Sequence, residues 1–160
     1  MTAPDLAYVA LVVDEPEASA AIFERDFGLP RKDFDCGSFN VPAISVGRSA
    51  LALFQPDNPF LGPDAKKGVH HIAIAAADPE TAAKDTGVPI DCGLANGLGG
   101  RTSIELARDA TCGIGVRYTE SLVLAPASSD LVERIDHLGV ASADNQAARK
   151  VFICLLYTSP

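Results

Sequence analysis

One sequence pattern occurs three times along the chain and constrains its fold more than any other feature. It reads YVALVVDEPEASA from Tyr8, HIAIAAADPETAA from His71 and HLGVASADNQAA from His137. Each copy joins an apolar run, typical of a β-strand, to an acidic residue and small residues that favour a helix start. The copies begin 63 and 66 positions apart (71 − 8 and 137 − 71). This long period predicts tandem copies of one supersecondary unit, consisting of a strand, a helix and further strands.

Helix-stop signals and linker-like segments set the predicted boundaries of these units. Gly28-Leu29-Pro30 and Gly87-Val88-Pro89 end the first two helices. We therefore predict one domain over residues 1–126, with a first unit at 1–60 and a second at 68–124. The glycines of residues 94–100 predict a loop inside the second unit. A linker at 127–133 then leads to the start of a third, truncated unit at 134–152, and residues 153–160 are predicted to be a non-native tail.

Composition narrows the class of partner. The net charge is −8 and the basic residues form no cluster larger than two, which argues against nucleic acid, whose phosphates need a basic face. No apolar run reaches the ~20 residues of a membrane helix. The first ten residues also lack the basic segment of a signal peptide. We expect a cytoplasmic protein whose partner is a small molecule, with no membrane association.

Three segments carry a resemblance to a known superfamily. Residues 7–30, 69–80 and 134–152 resemble the repeated strand-and-helix units of the vicinal oxygen chelate proteins, which include glyoxalases, epimerases, extradiol dioxygenases and drug-resistance proteins. The resemblance implies an α+β fold in which tandem βαβββ units pair into a curved, cup-shaped mixed sheet with helices outside. It also implies a divalent metal in the cup, Fe(II) first, with Mn, Zn, Ni or Co as alternatives. The units pair within one chain or between two, which leaves a homodimer open.

The metal-ligand positions of the superfamily transfer only in part to the first two units. The resemblance assigns these positions to Tyr8, Ala52, His71 and Arg117, and only His71 is a usual ligand. The candidates for the lining of the pocket are Tyr8, Gln55, Glu105, Arg117 and Glu120.

Three hypotheses about function follow from this partial match. The first is a truncated two-domain dioxygenase acting on an aromatic or 2-oxo acid, in which His137 is an iron ligand of the intact parent and this fragment is inactive. The second is a glyoxalase or epimerase type of lyase or isomerase with a metal in the first cup, held by Tyr8, His71 and an acid such as Glu120. The third is a protein that binds a small ligand without reaction, as the drug-resistance members do.

Overall fold

The computed structural model describes residues 5–126 and 129–156. In this part of the chain eight strands and three α-helices follow the predicted order, with a single 3₁₀ turn in each unit. The strands are β1 (Leu6–Val12), β2 (Arg31–Cys36), β3 (Phe39–Val46), β4 (Ser49–Phe54), β5 (Gly68–Ala75), β6 (Ile90–Asn96), β7 (Thr102–Leu106) and β8 (Gly115–Thr119). The helices are α1 (Pro16–Phe27), α2 (Pro79–Asp85) and α3 (Asn145–Leu156).

The eight strands form one mixed sheet in which the two units repeat each other's topology. The spatial order is β2-β3-β4-β1-β5-β8-β7-β6. Within each unit the first and last strands pair in parallel, β1 with β4 and β5 with β8. The units join through the antiparallel pairing of β1 with β5. The curled sheet is the predicted α+β cup, and both units come from one chain.

The two faces of the sheet have different partners. The concave face carries an apolar cluster that includes Tyr8, Ala10, Ala52 and Phe54. Because side chains alternate along a strand, the intervening residues point to the convex face and meet the helices. There α1 covers a cluster around Ile44 and Leu53, and α2 covers a second cluster in the other unit. On the concave face the apolar cluster is covered by Leu61 and Leu98, which come from the two 3₁₀ turns.

Local sequence signals explain where the first two helices begin and end. A proline occupies the first turn of each helix, where no intrahelical N–H bond is lost. Asp78 caps α2 by accepting hydrogen bonds from the backbone N–H groups of Glu80 and Thr81 at 3.1 Å. Gly28 ends α1 in the left-handed conformation, with φ of 62°. The observed ends of both helices agree closely with the predicted ones.

Two predicted segments differ in the structure. The first part of residues 94–100 is not a loop, because β6 extends to Asn96 and pairs with β7 despite its glycine. Register shifts along this pairing let an irregular edge strand form there. The repeat also predicts a strand at the start of the third unit, but the structure has none between residues 129 and 144. A strand requires a neighbour for its backbone groups, and this segment pairs with none.

The segment after the second unit is nevertheless packed against the domain. Val132 and Ile135 contact the cluster under α1, and the hydroxyl of Ser129 donates a hydrogen bond to the carbonyl of Phe27. Helix α3 then begins after Asp144, whose carboxylate accepts backbone N–H bonds from the first turn. It runs to Leu156, through part of the predicted non-native tail, and buries Leu155 in the cluster of the second unit. The rest of that tail, residues 157–160, lies outside the described residues, as do 1–4 and 127–128 of the predicted domain and linker.

Candidate functional site

The second unit forms most of an open cavity of about 800 Å³ on the concave side of the sheet. One wall comes from the apolar 3₁₀ turn Pro59–Leu61 and from the segment that follows it, which adds Asp64 and Lys66. A second wall comes from β6, β7 and β8. The charged side chains of this wall are Asp91, Glu105, Arg108 and Arg117, and His70 of β5 lies beside them. Two of the predicted pocket residues, Glu105 and Arg117, therefore lie in the cavity.

Tyr8 and His71 lie together in the protein interior beside this cavity. Both side chains are fully buried, and the Tyr8 hydroxyl is 3.1 Å from Nε2 of His71. Burial raises the pKa of Tyr8 to about 12 despite the nearby Arg117 cation, so the phenol keeps its proton. Burial first, and then the Arg117 charge, hold the pKa of His71 well below its ordinary value. At neutral pH the pair is an uncharged hydrogen bond.

His70 also lines the cavity, which simple strand alternation does not predict. Neighbouring residues of a regular strand point to opposite faces, so His70 is expected to point away from His71. The pairing of β1 with β5 shifts register here: Ala10 faces His71 but Leu11 faces Val69, which leaves His70 unmatched. Such a bulge redirects a side chain. As a result Nδ1 of His70 lies 2.8 Å from Nδ1 of His71.

Two arginines and one glutamate form an ion-pair cluster in the wall next to His70. Arg117 donates to Glu105 at 2.9 Å, and Arg108 lies 3.7 Å from the other carboxylate oxygen. The Arg117 guanidinium also stacks over the ring of Phe60, with its carbon 4.8 Å from the ring centre. Its Nε is buried and has no hydrogen-bond partner. Two positive charges thus face one negative charge.

Arg108 links this cluster to His70, and a glycine makes room for it. One terminal nitrogen of Arg108 is 3.3 Å from both ring nitrogens of His70. A side chain at Gly115 would bring its Cβ within 2.6 Å of this Arg108 nitrogen and 2.7 Å of the Cβ of His71. Burial, followed by the charges of Arg108 and Arg117, lowers the pKa of His70 to about 4. The imidazole is therefore neutral at pH 7.

The remaining predicted site residues lie elsewhere. Gln55 is exposed at the end of β4 and does not line the cavity. Glu120 follows β8, where its carboxylate accepts a hydrogen bond from the backbone N–H of Thr102 at 2.8 Å. That bond holds the pKa of Glu120 below its ordinary value. His137 is 85% exposed, and among the described residues Asp136, at 3.3 Å, is the one side chain within ion-pair distance of its ring. Glu120 does not line the cavity, whereas Glu105, Asp64 and Asp91 do.

The residues at the four expected metal positions do not fit a divalent cation. Ala52 has no donor atom, the Tyr8 phenol is protonated, and Nε2 of His71 is already paired with that phenol. Arg117 adds a positive charge where the resemblance implies a carboxylate. Within residues 5–126 and 129–156, no group of three or more His, Cys, Asp or Glu residues could hold a metal ion. The cup offers guanidinium groups and a neutral imidazole instead.

Similarity to known proteins is found at the level of structure. No protein-family model and no curated protein sequence matches the chain. A methylmalonyl-CoA epimerase variant from Streptomyces coelicolor, solved with 2-nitronate-propionyl-CoA, aligns with a TM-score of 0.63 at 18% identity, covering 76% of this chain and 100% of that chain. The methylmalonyl-CoA epimerase of Mycobacterium tuberculosis gives 0.61 at 13% identity, covering 74% and 88%. A hypothetical protein from Bacillus halodurans gives 0.62 at 20%, covering 76% and 97%.

At these identities the likeness shows a shared fold. The chain shares the paired-unit cup of these structures, which is the fold that the resemblance in its sequence predicts. Among the described residues no helix is long and apolar enough to cross a membrane. Sequence reasoning missed His70 and Arg108 as cavity residues. His70 was missed because its side-chain direction depends on a bulge whose position the sequence does not show. Arg108 was missed because it lies after β7 and belongs to no sequence motif.

Proposed function

We propose that this chain is an isomerase or lyase of the epimerase and glyoxalase type, which moves a proton next to the carbonyl group of a small acid. The observation that carries the proposal is the contact of one guanidinium, that of Arg108, with both His70 and Glu105 in a single cavity. Such chemistry requires a base for the proton and a positive group for the enolate oxygen. Both are present within one wall of the cup.

His70 is the base in this proposal. Its ring is neutral at pH 7, so one ring nitrogen can accept the proton while Nδ1 remains against His71. The low pKa makes it a weak base in the free protein. Negative charge that develops on the substrate would offset the charges of Arg108 and Arg117 and stabilise the protonated ring. Glu105 is a positioning residue, because it contacts both guanidinium groups.

The structural neighbours support the choice of reaction class. Several of them are methylmalonyl-CoA epimerases, one of which was solved with methylmalonyl-CoA and ammonium. Their names motivate a carbonyl-bearing acid or acyl thioester as the first substrate class to test. In other members of the superfamily a divalent metal supplies the charge for the enolate. The residues of this cup do not fit such an ion, so we assign that task to Arg108.

Proton exchange provides the test. The protein is incubated in D₂O with methylmalonyl-CoA and with a panel of small 2-oxo acids, and NMR follows loss of the C–H signal next to the carbonyl. We expect exchange with at least one substrate, a fall of about 100-fold in His70→Gln, and no change in Glu80→Gln, an exposed glutamate on α2. Equal exchange by wild type and His70→Gln, or none with any substrate, would contradict the proposal.

A second candidate is a cup that binds a small acid without reaction. The observation that favours it is the absence of usual ligands at three of the four superfamily metal positions, Tyr8, Ala52 and Arg117. This candidate predicts ligand binding that is unaffected by a chelator and is accompanied by no proton exchange. Thermal stabilisation by the ligand with and without EDTA measures the first point, and the exchange assay above measures the second.

The dioxygenase hypothesis remains a prediction about a longer parent protein. It requires a second histidine and a carboxylate to join His137, whereas the one side chain within hydrogen-bond distance of His137 in the described residues is Asp136. Oxygen uptake and iron content measured on an extended protein would test it. Pairing of units between two chains, as a homodimer, is left open by the sequence, and sedimentation would test it.

A further inference from the structure

The geometry points to a carboxylate-binding site at Arg117, built into the position where the superfamily resemblance implies a metal-ligating carboxylate. The occupant we infer is a small monocarboxylate with an aromatic or branched apolar body. This inference shares its cavity with the proposed function and names the substrate class, but it concerns binding alone.

The charge of the cavity wall is the first argument. Arg117 is 11% exposed and Glu105 is 18% exposed, so their ion pair is largely shielded from water. Arg108 brings a second guanidinium within 3.7 Å of the same carboxylate. Within this cluster two guanidinium groups share one carboxylate, although Arg108 is 40% exposed. The other charged residues that line the cavity, Asp64, Lys66 and Asp91, form no ion pair with either arginine. The excess positive charge is therefore local to this part of the wall, where shielding from water strengthens charge interactions. A bound anion would neutralise it.

The geometry of Arg117 is the second argument. Only one of its terminal nitrogens, Nη2, donates to Glu105. Its Nε is buried, has no partner and has no surface open to the cavity, so only the terminal nitrogens can meet a ligand. The two terminal nitrogens of an arginine can bind a carboxylate through parallel N–H bonds. Stacking on Phe60 fixes the plane of the guanidinium, so the terminal nitrogens are oriented before a ligand arrives.

The wall that carries Phe60, next to Arg117, determines the rest of the ligand. Pro59, Phe60, Leu61 and Val69 line the cavity with apolar surface. The 3₁₀ turn that carries the first three is held by Asn58, which caps it through the N–H of Phe60 at 3.0 Å. An apolar body against this wall would leave the carboxylate directed at Arg117. A carbonyl group of the ligand, where the ligand has one, would then lie towards Arg108 and His70.

Two ligands of the same shape and different charge provide the test. Phenylacetate and phenylacetamide are titrated by NMR or calorimetry at pH 7.5 with EDTA present. We expect phenylacetate to bind at least 10-fold more tightly, and Arg117→Gln or Arg108→Gln to remove that preference. Arg25→Gln, which removes the same charge from an exposed residue of α1, is the control and should keep it. Equal binding of the two ligands to wild type, or a preference that survives in Arg117→Gln, overturns the inference.

A further variant, Glu105→Gln, is expected to raise the affinity for phenylacetate instead of lowering it. Glu105→Gln removes the internal carboxylate that competes for Arg117, so phenylacetate should bind several-fold more tightly than to wild type. The matched control Glu80→Gln should show no such gain. Unchanged or weaker binding of phenylacetate to Glu105→Gln would also overturn the inference. This variant therefore keeps the test decisive if Arg117→Gln does not fold. Failure of the proton-exchange assay would leave these binding results intact, which separates the two proposals.

Discussion

Leu155 provides a sharp test of whether the last helix belongs to the fold. Its side chain is 0% exposed and packs in the apolar cluster of the second unit, whereas its neighbour Leu156 is 36% exposed. Truncation of a fully buried leucine to alanine costs about 2–5 kcal/mol, from lost burial and the cavity left behind. At about 2–4 °C per kcal/mol for a chain of this size, 3 kcal/mol lowers the melting temperature by roughly 6–12 °C.

Leu156→Ala is the matched control because it makes the same chemical change in the same helix, one residue further on. Helix propensity favours alanine equally in both variants, so the difference between them measures burial. Thermal unfolding followed by circular dichroism gives that difference. Tyr118→Phe adds a second measure, since the Tyr118 hydroxyl donates to the Leu155 carbonyl at 2.8 Å. Equal melting temperatures for Leu155→Ala and Leu156→Ala would refute the packing of α3 and support a tail foreign to the fold.

Two further predictions concern the buried tyrosine and histidines. Tyr8→Phe removes the hydroxyl that pairs with Nε2 of His71 and leaves a buried nitrogen unpaired, so urea unfolding should show a loss of about 1–3 kcal/mol; no loss would argue against that bond. The pKa values of His70 and His71 lie below the ordinary value, so below about pH 6.5 the unfolded chain binds protons that the folded chain does not. The free energy of unfolding should therefore fall as the pH falls from 6.5 to 4. For half-buried His70 we expect a loss of about 1–2 kcal/mol after allowance for solvent screening. The variant His70→Gln should show a smaller change of unfolding free energy over the same pH range.

The repeats carry most of the information about the fold. Pro16 and Gly28 delimit α1, and Pro79 and Asp78 start α2, because these residues act through their own backbone or through near neighbours. Such local effects are readable from sequence. The sequence repeat predicts that the two units have the same topology. The resemblance predicts that they pair into a cup.

The cavity is less predictable because its key contacts depend on register and on distant residues. His70 reaches the cavity through a bulge opposite β1, which alternation within β5 does not reveal. Arg108 reaches His70 because Gly115, on the neighbouring strand, has no side chain in the way. In the third unit the sequence predicts a strand that the structure does not contain. Its sequence has a strand pattern, yet residues 129–144 form no strand because no neighbouring strand pairs with them.

Metal content tests the central claim most directly, namely that the positions at which the resemblance implies metal ligands hold a neutral hydrogen bond and an arginine instead. The purified chain is equilibrated separately with Fe(II), Mn, Ni, Co and Zn, dialysed, and analysed by mass spectrometry, alongside His71→Gln. The account predicts far less than one ion per chain and no difference between the two proteins. One ion per chain in wild type, lost in His71→Gln, would contradict it.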